Sequence, residues 1–234
     1  MTELSVSGNL QIEVALSREA TEAQCSDVKV LLEIFLHAID LGMFSPARLD
    51  SSTLVMSLEG ALRAELVVQS FPTTSLAVLR GMLQQYAASA VPLASASVTL
   101  NADTKHNFFD VAPGTEMVRL SPNFQLPAQI DLPAANDPLV VLVEFAEDVP
   151  PTLHDHCYSI FETWNILLCG GFPPVGATPA SSVVRGPIST RFLMPAMLQH
   201  ALEGWFAHPS SIHPLLNALA VLSETRRIVS VVVE

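Results

Sequence analysis

The sequence predicts an α+β fold, a tandem duplication of a ferredoxin-like βαββαβ unit with antiparallel sheets and the helices on one face of each. Three observations point there. Residues 9–100 and 138–234 carry the same order of apolar segments. A helical apolar stripe in the first half recurs about 129 positions later in the second. In each half, runs of period-2 alternation surround runs of period 3.6. The organisation that follows is a first unit over residues 1–100, a proline-rich connection over 101–137 and a second unit over 138–234.

The elements follow in order. Gln11 to Leu16, with Ile12, Val14 and Leu16 on one face, and the apolar run Leu139 to Phe145 predict the first strand of each unit. A helix follows each. Val28, Leu31, Leu32, Phe35 and Ile39 share one face of the first, and Cys157, Ile160, Phe161, Trp164 and Leu168 repeat that spacing in the second. The same shift lays Gly171 on Gly42, so both helices are predicted to stop at glycine, the residue that most readily turns left-handed after a last turn. Their starts are predicted at Thr21 with Gln24 and at Thr152 with Asp155, pairs able to cap orphan amides.

Two strands come next in each half: Leu54 to Leu58 and Leu62 to Val68 around Gly60, then Val184 to Phe192 and Leu198 to Leu202 around Pro195. Leu76, Leu79, Met82, Leu83 and Tyr86 form the second helical stripe, matched by Ile212, Leu215, Leu216, Leu219 and Leu222. Ser97 to Leu100 and Ile228 to Val233 close the halves as strands. This order is that of the split βαβ arrangement, whose helices cover one sheet face and leave the other open. The open faces are expected to be apolar and to be buried sheet to sheet, side by side in one longer sheet, or against a second molecule.

The connection is punctuated by Pro113, Pro122, Pro127 and Pro133 and abutted by Pro138, yet Phe108, Phe109, Val111, Met117, Val118, Leu120 and Phe124 are too apolar for a free linker. It is expected to lie against one half, with a short extra strand near Met117 to Leu120.

Composition bounds the function. Half of the 234 residues are apolar and 15% are charged, which describes a folded globular chain. The longest apolar runs are strand-sized, so no membrane span is expected, and Met1 to Gly8 lacks the basic and apolar regions of a leader; a cytoplasmic protein is expected. Cys25, Cys157 and Cys169, odd in number and without a CxxC pair, are expected to be reduced. A net charge of −12 argues against nucleic acid as a partner. Lys29 and Lys105 are the only lysines and the mean hydropathy is +0.41, so part of the surface is expected to be covered in a homo-oligomer, a dimer by preference.

No nucleophile elbow, phosphate loop or zinc spacing occurs, and no cofactor is implied. His154, Asp155, His156 and Cys157 are consecutive, but side chains two apart on a helix point about 200° away from each other, so no metal site is predicted. His200, between Leu198 and Leu202 on the inward face of a strand, is the one candidate for catalysis or ligand contact: an imidazole titrating near neutrality can serve as a general base. Gly170, Gly171 and Phe172, before Pro173 and Pro174, form a second candidate, a rigid loop that would let a ligand approach backbone amides; a helix stop with a buried aromatic plug explains the same residues. Cys157 near a helix start and the Arg226, Arg227 pair complete the inventory.

Two functions follow. One is a non-enzymatic module that binds a small molecule or assembles with itself; the alternative is a small cytoplasmic enzyme of the dimeric α/β-barrel type, with His200 in its pocket.

Overall fold

The computed structural model describes residues 5–17, 20–56, 61–72, 75–89, 93–100, 104–107, 124–134, 137–172, 184–205 and 207–234. In the first half the order is β1 (Ser5–Leu16), α1 (Glu22–Asp40), β2 (Arg48–Met56), β3 (Ala61–Pro72), α2 (Ser75–Ser89), β4 (Leu93–Leu100) and a short β5 (Thr104–Asn107). Then come β6 (Ala128–Ile130), β7 (Leu139–Phe145), α3 (His154–Gly170), β8 (Val184–Met194), β9 (Met197–Trp205), α4 (Ile212–Thr225) and β10 (Ile228–Val233). The first sheet runs β2-β3-β1-β4-β5 and the second β6-β10-β7-β9-β8. Apart from a parallel β6–β10 pair at one edge, all neighbours are antiparallel. The fold is therefore mixed α+β, with two antiparallel sheets and four helices among the described residues.

Alternation decides which way each strand faces. In β1, Leu10, Ile12, Val14 and Leu16 are buried while Gln11 and Glu13 point the other way; in β3, Leu62, Ala64, Leu66 and Val68 are buried while Arg63, Glu65, Val67 and Gln69 are exposed. β7 behaves alike, burying Leu139, Val141, Val143 and Phe145.

The two halves do not meet in either of the two intramolecular ways the sequence leaves open. The sheets meet neither face to face nor edge to edge: α3 packs on α1 and α2 of the first half as well as on α4, so the two helical layers lie between the two sheets. The reason is visible along α3, which buries Cys157, Ile160, Phe161, Thr163, Trp164, Leu167 and Leu168, more than the single stripe of a helix covering one sheet. Polar contacts cross the junction, with His37 Nε2 2.8 Å from Ser159 Oγ and Asn217 Nδ2 donating to the Met43 carbonyl at 3.2 Å. The expectation of an apolar open face is corrected for the first sheet: its outward side chains are mostly polar, with Val55 and Val67 among them, because the helices supply the burial its inner face requires.

The helix boundaries divide in the same way. Thr21 and Gln24 form the expected capping box, the Thr21 amide donating to Gln24 Oε1 at 2.7 Å and the Gln24 amide to Thr21 Oγ1 at 3.4 Å. Thr152 makes no cap. Pro150 and Pro151 wind the chain into a 3-10 turn over Pro151–Leu153, so α3 starts from an existing turn, with no side chain capping its first amides. Gly42 is left-handed at φ +77° as expected, whereas Gly171 remains right-handed at φ −81°. The strand expected near Met117 to Leu120 lies outside the described residues; the connection supplies β5 and β6 as edge strands, one to each sheet.

Candidate functional site

The outer face of the first sheet is hollow. Cross-strand register sets Thr53 of β2 opposite Glu65 of β3, Glu65 opposite Gln11 of β1, and Gln11 opposite Thr99 of β4, a polar rank across four strands. Ser51, Val67 and Asn9 flank it on one side, and Lys105 of β5 stands opposite Thr99 in register, three strands from Glu65. Most of these side chains are short, so the twisted sheet leaves a trough of about 510 Å³ lined by Asn9, Gln11, Ser51, Thr53, Glu65 and Thr99. Arg63, one step along β3 on the same face, is held by Glu13 at 3.2 Å. Among the described residues no cation pairs with Glu65.

In the second sheet Arg191 of β8, Gln199 of β9, Leu142 of β7 and Val232 of β10 form one rank across four strands. Arg191 lies across its neighbour, donating from Nε at 3.3 Å and Nη2 at 3.1 Å to Gln199 Oε1.

His200 sits on the opposite, inward face of β9. Its ring is fully buried, stacked on Phe161 with centroids 4.7 Å apart and edge-on to Trp164 at 5.7 Å. Nδ1 lies 2.8 Å from Thr190 Oγ1, and Nε2 meets no hydrogen-bond partner among the described residues. Burial pushes its pKa down to about 4, because a charged imidazolium there would lose its hydration without gaining an anion. The ring is neutral at physiological pH and is not among the residues that line the trough.

Gly170, Gly171 and Phe172 lie where α3 ends against α2. A Cβ on Gly171 would stand 2.4 Å from Val78 Cγ1, one on Gly170 3.2 Å from Met82 Cα, and one on Gly81 of α2 2.8 Å from the Gly170 carbonyl. Three glycines let the two backbones touch, and Phe172 is buried beside them. Structure places this cluster and His200 at different points of the core and joins neither to the trough.

The remaining candidates are spread out. Cys157 is buried and its thiol is pushed up to about 11 by desolvation, which suppresses the thiolate a nucleophile needs. His154 stacks on Phe192 at 4.0 Å, with its Nε2 3.2 Å from the Val149 carbonyl, whereas His156 is exposed. Arg226 reaches Glu147 at 4.0 Å. No group of three His, Cys, Asp or Glu side chains among the described residues is placed to share a metal ion. Sequence reasoning missed the trough. Its signal was present in the short polar residues alternating along the outward positions of β1, β2 and β4, but only register shows that they align.

No protein-family profile matches the chain, and no curated protein sequence does. Two solved structures are similar along its length. One is a candidate glycine cleavage system transcriptional repressor, 11% identical over 98% of this chain and 99% of that one, with a TM-score of 0.24. The other is an unknown protein from Galdieria sulphuraria, 12% identical over 98% of each chain, with a TM-score of 0.23. Superpositions of that quality carry no argument about this chain.

Proposed function

We propose that the chain is a non-enzymatic, cytoplasmic binding module built from two ferredoxin-like βαββαβ units, residues 1–100 and 138–234, joined by 101–137, and that it takes a small molecule in the trough of the first sheet. The duplication is supported by the shared strand order, in which the second, third, first and fourth strand of each half are neighbours. The binding role rests on one observation above all: the convergence of Thr53, Glu65, Gln11 and Thr99 in a solvent-facing hollow. A hollow of about 510 Å³ lies within the size range of small-molecule sites. The catalytic alternative ranks second, since His200 would act as a base only if the Phe161–Trp164 core opened around it. Gly170, Gly171 and Phe172 would likewise contact a ligand only if α2 and α3 separated.

A metabolite screen by thermal shift tests the site, because a compound that binds only the folded state raises its melting temperature. Thr53→Arg places a long side chain in the hollow from an exposed edge strand. The expected result is a stabilising compound whose effect Thr53→Arg removes; stabilisation that survives in Thr53→Arg refutes the site.

Self-association belongs to the same proposal. On the outward face of the second sheet Val140, Leu142, Ala201 and Val232 are half-buried and apolar, and a second copy is the proposed cover. Sedimentation velocity of the full chain at micromolar concentration is expected to return twice the chain mass. A monomer across the concentration range removes the dimer.

A further inference from the structure

We infer that the trough of the first sheet is selective for small organic cations, molecules that carry a protonated amine beside hydroxyl or amide groups. This deepens the proposal that the trough is the binding site and rests on it.

The charge and the hydrogen-bonding capacity of the rank decide the class. Glu65 stands in the middle of the rank, between Thr53 and Gln11, with two acceptor oxygens and no cation on it among the described residues. The nearest guanidinium on its strand, Arg63, is occupied by Glu13. An ammonium group is the natural complement of a carboxylate so placed, through a charge-assisted hydrogen bond. Around it, Gln11 offers a carbonyl and an amide, and Thr53, Thr99 and Ser51 offer hydroxyls that both donate and accept. That set matches a ligand bearing several polar groups, and among the residues that line the trough it leaves an anion only neutral donors and a repelling carboxylate. The net charge of −12 acts in the same direction over longer range, raising the local concentration of cations.

The test is isothermal titration calorimetry of the full chain at low salt with five probes: glucosamine, galactosamine and ethanolamine as cations, glucose as a neutral molecule, and gluconate as an anion. Glucosamine, glucose and gluconate share size and hydroxyls and differ in charge. The inference predicts saturable binding of at least one cation, weakened about tenfold or more in Glu65→Gln, the scale of a lost hydrogen bond to a charged group. Glucose and gluconate are expected to bind at least tenfold more weakly than the tightest cation. Circular dichroism of Glu65→Gln, an exposed position, verifies that the fold is retained. Cation binding unchanged in Glu65→Gln overturns the inference, as does glucose or gluconate binding as tightly, or no binding by any of the three cations. Thr53→Arg separates the two levels: a neutral or anionic compound whose binding Thr53→Arg abolishes refutes the charge class and leaves the trough as the site. A compound bound equally by the wild type and Thr53→Arg refutes both.

Discussion

His200 shows how little a residue type alone determines. Its position on the inward face was legible from the spacing of Leu198, His200 and Leu202, but its surroundings were not, because Phe161 and Trp164 come from α3, more than thirty residues earlier. Those rings turn a candidate base into a core residue with a folded pKa of about 4 against an ordinary 6.5. The sign of the consequence follows from linkage: the folded state excludes the charged ring, so the stability that depends on neutral His200 is complete above about pH 6.5 and lost as the pH falls towards 4. The full difference amounts to about 3 kcal/mol. Urea denaturation at a series of pH values, wild type against His200→Phe, is expected to show the gap between the two narrowing or reversing on acidification in favour of Phe. Curves that stay parallel from pH 7 to pH 4 contradict the buried, neutral assignment.

Among the elements, amphipathic periodicity was the most dependable guide. All four helices and the strands β1, β3, β7, β8, β9 and β10 fall where apolar spacing puts them, because each packs one face on a core and pays for exposure on the other. Element ends were legible where a local hydrogen bond fixes them, as at Thr21, and illegible where backbone restriction does, as at Pro150 and Pro151 before α3. Gly171 is the instructive case. Its alignment with Gly42 suggested one shared left-handed stop, but the two glycines answer different demands: positive φ at Gly42, close approach of Val78 at Gly171. Only the tertiary contact distinguishes them. The trough was hidden for a related reason, since the alternating polar residues of Asn9 to Glu13 and of Ser51 to Thr53 read as ordinary solvated strand faces until β3 aligns them on Glu65.

At the scale of the molecule, the two helical layers are used up against each other, and what remains for recognition is a pair of sheet faces of different character. The first is hollow around Glu65, with polar side chains across it; the second carries Arg191 laid on Gln199 beside half-buried Val140, Leu142, Ala201 and Val232. On the proposed reading these two faces divide the work, one taking a small polar ligand and the other a second copy. The α+β class and the antiparallel sheets were legible in the sequence but the packing between the sheets was not, because the surplus apolar surface of α3 has no periodic signature that says which neighbour it meets. The measurement that bears most directly on this division of labour is a two-dimensional amide NMR titration with the most stabilising compound of the metabolite screen. Shift changes are predicted to cluster on β1, β2, β3 and β4, at Gln11, Thr53, Glu65 and Thr99 and their neighbours. Changes centred on Phe161, Trp164 and His200, with the first sheet unmoved, would contradict it.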